Sequence, residues 1–189
     1  MKQLGIGLLA SVAMLCTSVG HARDAALLQA ATAEQPAVVK TLERLVNIET
    51  GTGNAEGLAA MADLLEAELK GLGAVVTRHA AAAPAIGDNL VARLQGKGQR
   101  KLMLMAHVDT VYVKGTLARA PFRIDGARAF GPGIADAKGG VAVILHTLQL
   151  LKARGFDDFG TITMLFNTDR KSTRLNSSHV SESRMPSSA

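Results

Sequence analysis

The residues of this chain best suited to chemistry lie in two stretches. One is Leu102-Met103-Leu104-Met105-Ala106-His107-Val108-Asp109-Thr110; the other is Gly131-Pro132-Gly133-Ile134-Ala135-Asp136-Ala137-Lys138-Gly139-Gly140. His107 and Asp109 are two residues apart, so on extended backbone their side chains point the same way. An imidazole there can bind a metal while the carboxylate orients its other nitrogen and raises its basicity. Asp136 sits in a glycine-rich bend before a helix. A carboxylate in such a place can bridge two divalent ions, which together hold water and a substrate carbonyl. Simpler roles stay open: a loop hydrogen bond between His107 and Asp109, a helix cap for Asp136, a solvated charge for Lys138, and a bare turn for the glycines.

Other reactive side chains are less well placed. His146 falls within a helical stretch and reads as a packed or surface histidine, while His79 abuts an alanine-rich loop and reads as exposed. Asp169 follows an apolar strand, where it can contact a metal, support a catalytic group or cap a loop. No Gly-x-Ser-x-Gly turn is present, and Cys16, the one cysteine, lies in the N-terminal apolar segment, so serine and cysteine nucleophiles lack support.

The elements that must position these residues alternate between helix and strand. Helical spacing predicts helices over 34–47 (Val38, Leu42, Leu45, Val46) and 55–69 (Leu58, Met61, Leu65, Leu69), the second capped by Asn54. A further helix is expected over 139–154. Strands are expected over 74–78, 89–94, 102–106 and 161–166, with 102–106 apolar enough to be buried on both faces. Segments 122–124 and 128–130 are predicted to pair across the Asp125-Gly126 turn. The alternation indicates an α/β sheet domain, in which ligands bind beyond the carboxyl ends of strands, where His107, Asp109 and Asp169 stand.

Composition narrows the partners. Residues 1–22 read as a secretory signal peptide, with Lys2, an apolar run from Leu4 to Cys16 and small residues in Gly20-His21-Ala22; an uncleaved anchor is the alternative. Cleavage implies a periplasmic or secreted protein without stable membrane association. The net charge of +5 arises largely outside residues 23–169, which carry 16 basic and 15 acidic side chains. With no basic run, one tyrosine and no tryptophan, a nucleic-acid partner is not supported.

The His107-Val108-Asp109-Thr110 and Gly131 to Gly140 motifs, with Thr110-Val111-Tyr112 and Ala120-Pro121-Phe122 between them, resemble the co-catalytic zinc aminoacylase and carboxypeptidase family. Within that family the likeness is to exported bacterial glutamate carboxypeptidases, and it runs from about Leu28 to Asp169. It implies the N-terminal part of a three-layer zinc-peptidase catalytic domain with a central mixed sheet over residues 23–169. It also implies two zinc ions per intact site, His107 binding one, Asp136 bridging both, and Asp109 as a catalytic residue that orients His107. Metal-bound hydroxide would then attack the scissile amide of a small peptide, folate-like or N-acyl-amino-acid substrate.

The chain departs from the family pattern after Asp169. The resemblance calls for two glutamates, a general base and a metal ligand, where Arg170 and Lys171 stand. The family's later acidic and histidine ligands, and its inserted domain used for homodimerisation, have no counterpart here. Residues 170–189 hold seven serines in 20 positions with little apolar periodicity, and read as a non-native, disordered tail on a truncated enzyme. The chain as it stands is therefore expected to be inactive. A dipeptidase or N-acyl-amino-acid deacylase is the alternative within the family. Outside it stand a non-catalytic periplasmic metal- or ligand-binding module, and a structural or interaction protein in which His107 and Asp136 only organise loops.

Overall fold

The structure, a computed structural model, describes residues 24–51 and 53–170. The expected signal peptide over 1–22 and the tail beyond Arg170 lie outside the described residues. The elements run α1 (Ala25–Val46), α2 (Ala55–Gly71), β1 (Val75–Ala80), β2 (Asp88–Gln95), β3 (Lys101–His107), β4 (Arg123–Asp125), β5 (Arg128–Phe130), α3 (Gly139–Ala153) and β6 (Thr161–Asn167).

Each helix forms where an apolar stripe meets a boundary signal. Asn54 accepts from Gly57 N at 3.2 Å and donates to Glu49 O at 2.7 Å, fixing the start of α2. Leu58, Met61, Leu65 and Leu69 on that helix are all buried, as their spacing predicts. α1 begins earlier than the periodic residues indicate, because Asp24 caps it by accepting from Leu27 N at 2.9 Å. In α3, Val141, Leu145 and Leu148 enter the core. The segment Ile134–Ala153 is apolar and long enough by composition to cross a membrane, and its Val141, Leu145 and Leu148 are buried in the core.

The central sheet is mixed, with strand order β1-β2-β6-β3. β1 and β2 pair antiparallel, as do β2 and β6, whereas β3 runs parallel to β6. That parallel pair brings the carboxyl ends of β3 and β6 together, with His107 opposite Asn167. One face is covered at β2 and β6, where Leu90, Ala92, Ile162, Met164 and Phe166 are buried. On the other, Val91, Thr163 and Leu165 are half-buried and Met103 and Met105 are exposed.

The expectation that β3 is buried on both faces is therefore corrected. Leu102, Met103 and Met105 are each about half exposed because β3 is the edge strand of the described sheet. An edge strand with an apolar face is prone to pair with another chain. The short hairpin does form as predicted: β4 and β5 pair antiparallel around Gly126, whose φ is 57°.

Candidate metal centre

His107 is the last residue of β3, and Asp109 lies two residues on, with both side chains buried. The loop that follows is held from a distance. Thr50 Oγ1 donates to Val108 O at 2.6 Å, and Thr110 N donates to Thr50 O at 2.8 Å. Gly51 lies beside this strand extension, where a Cβ would stand 1.9 Å from the Tyr112 carbonyl oxygen. Thr50 and Gly51 are thus the clamp that aims Asp109.

Asp136 arrives from the glycine bend. Gly133 turns with φ 77°, and a Cβ there would meet Thr110 Cγ2 at 2.6 Å, so glycine is what lets the bend lie against the β3 loop. The result is a direct contact: His107 Nε2 lies 2.7 Å from Asp136 Oδ1. On the other side of the ring, Nδ1 lies 3.1 Å from the Asp109 carbonyl and 3.3 Å from its Oδ1. The structure brings these three residues together, with Asp109 on one nitrogen and Asp136 on the other. Asp136 does not act as the helix cap that the sequence left open, since the N-terminus of α3 has no side-chain cap.

Both imidazole nitrogens face oxygen acceptors, which suits a ring carrying two protons. Its pKa is accordingly raised, chiefly by the Asp109 carboxylate, against the opposing effect of burial, and further by Asp136. A raised folded pKa means that the imidazolium stabilises the fold fully below the ordinary histidine value, and that this contribution is lost as pH rises through the folded value. Asp109→Asn is expected to move the His107 titration to lower pH, read from its ring resonances by NMR. An unchanged titration would show that Asp109 does not tune the ring.

Four further placements matter. Lys138, read from sequence as a solvated loop charge, is instead 1% exposed, with Nζ donating to Ile48 O at 2.6 Å. His146 is packed, its Nδ1 2.7 Å from Glu34 Oε1 and its Nε2 2.8 Å from Thr41 Oγ1, so it ties α3 to α1 outside the site. Asp169 lines a cavity of about 290 Å³ together with Asp109, Thr168 and Arg170. Arg170 itself places a guanidinium nitrogen 2.7 Å from Asp136 Oδ2.

A zinc ion takes four ligands, commonly nitrogen, sulfur or carboxylate oxygen. Here His107 and Asp136 supply two, already in hydrogen-bond contact with each other, and the second Asp136 oxygen is held by a cation. Among the described residues no group of three or more histidine, cysteine, aspartate or glutamate side chains could hold a metal. The described residues therefore do not fit a closed metal site.

The motifs on this sheet are shared with a known class of peptidases: residues 103–178 match the Peptidase family M20/M25/M40. Over 163 residues the chain is 61% identical to carboxypeptidase G2 of a Pseudomonas species (strain RS-16), a match covering 86% of this chain and 39% of that protein. It is also 38% identical to succinyl-diaminopimelate desuccinylase of Gluconobacter oxydans, over 71% of this chain and 34% of the relative. The chain thus spans less than two fifths of these relatives' length. Human carnosine dipeptidase 1 shares the fold, with a TM-score of 0.66 at 18% identity, over 77% of this chain and 34% of that one.

Proposed function

We propose that the chain is the N-terminal part of an exported, zinc-dependent exopeptidase that hydrolyses amide bonds and releases C-terminal glutamate from folate-like or peptide substrates. In the intact enzyme, His107 binds one of two zinc ions, Asp136 bridges both, and Asp109 orients His107. The observation that carries this reading is the convergence of His107, Asp109 and Asp136 at the carboxyl end of β3, in a chain 61% identical to carboxypeptidase G2. Residues 1–22 direct export to the periplasm or beyond, residues 170–189 are foreign to the domain, and the whole enzyme is a homodimer. The 189-residue chain does not itself turn over substrate.

A second specificity is favoured by the likeness to a desuccinylase, which fits cleavage of an N-acyl amino acid at the same site. The test is to read the parent gene across codon 170, express its full product and measure zinc-dependent release of glutamate. Glutamate release that is lost in His107→Ala and Asp136→Asn is the expected result. Preferential cleavage of N-succinyl amino acids or dipeptides would overturn the specificity. Independent clones that end after Ala189 and yield a stable product without turnover would favour a binding module.

A further inference from the structure

Asp136 has two oxygens, and the structure gives each a positive or proton-bearing partner. Oδ1 faces His107 Nε2 and Oδ2 faces Arg170 Nη2, both at 2.7 Å. A guanidinium is a permanent, planar cation whose forked donors match a carboxylate. Arg170 is also only partly exposed, and its Nε is buried without a hydrogen-bond partner. It borders both cavities at this end of the sheet: the one lined by Asp109 and Asp169, and a second of about 320 Å³ lined by Gly131, Gly133 and Asp136.

These contacts engage both oxygens of Asp136, one of them with a permanent cation. We infer that Arg170 is an internal counter-ion, which takes on Asp136 the place a metal cation would take and so keeps this chain in a metal-free form. A divalent ion would have to displace the guanidinium from Oδ2 and separate His107 Nε2 from Oδ1. Around a tetrahedral zinc, ligand atoms stand roughly 3.3 Å apart, wider than the 2.7 Å contact that joins this pair. Arg170 therefore opposes metal binding by occupation as well as by repulsion.

The inference rests on His107 and Asp136 being the metal-directed pair, and its test reads binding, not hydrolysis. Zinc affinity of the full chain is measured by competition with a chromophoric chelator, with circular dichroism to verify folding. Arg170→Gln, which removes the charge and keeps an amide of moderate length, is expected to bind zinc on the order of tenfold or more tighter than the parent. Adding Asp136→Asn is expected to abolish the gain. A folded Arg170→Gln chain that binds no tighter, or a gain that survives Asp136→Asn, overturns the inference. Should Arg170→Gln fail to fold, the parent chain decides by NMR: zinc is expected to perturb the exposed His79 ring before His107. A His107 ring that responds first would overturn it.

Discussion

Given zinc and a glutamate-terminated amide, the purified 189-residue chain is expected to release no glutamate above the uncatalysed background. The deficit from a missing general base alone is about 10²–10⁴-fold. A base must lie within hydrogen-bond reach of the water it activates. At the end of β6, beside His107 and Asp136, that place is held by Arg170, which has donors and no acceptor. Asp109 is buried against His107, and both oxygens of Asp136 are engaged. Liquid chromatography of the products over a long incubation is the check. Robust zinc-dependent release would overturn the expectation, and its loss in Asp169→Asn would place the base on Asp169, which borders the same cavity.

The residues that were legible in the sequence share a property: their role is fixed by neighbours close along the chain. Leu58, Met61, Leu65 and Leu69 read as a buried stripe because helical spacing alone puts them on one face. Gly126 marked the β4–β5 turn because a positive φ at a two-residue hairpin favours glycine. His107 and Asp109 were legible as a pair for the same reason. Asp136 joined them through its unusual glycine bend, a local signal pointing at a distant contact.

What stayed hidden depends on contacts far apart in sequence. An apolar run such as Leu102 to Ala106 looks the same at the centre of a sheet as at its edge, and strand order alone distinguishes them. Lys138 resembles any loop lysine until Ile48, 90 residues earlier, supplies the carbonyl that holds it. Arg170 stands where the sequence turns polar and serine-rich, so no local pattern links it to Asp136. The clamp from Thr50 to Val108 is hidden for the same reason. Each of these misreadings concerns a charge, a hydroxyl or a strand whose surroundings come from another part of the fold.

Stability is expected to rise by about 2–3 kcal/mol between about pH 7.5 and pH 10, relative to a Lys138→Met variant. Burial pushes the Lys138 ammonium down from 10.5 to about 8, with the Glu49 charge pulling weakly the other way. Between those values the unfolded chain binds a proton that the folded chain does not. Stability therefore climbs as pH increases through this window; below about 8 both states are protonated and the cost of burying the charge is constant. Methionine keeps a stem of similar length and removes the ammonium. The Ile48 carbonyl then lacks this donor at every pH, which shifts the whole profile without changing its slope. Lys97 and Lys114, whose pKa values are raised by Asp157 and Glu56, act in the opposite direction but are common to both proteins and cancel in the comparison. Urea unfolding of the two proteins at both pH values measures the difference directly. Parallel profiles would mean that the Lys138 ammonium reaches water, and that the glycine bend carrying Asp136 is not anchored to Ile48 through a buried charge.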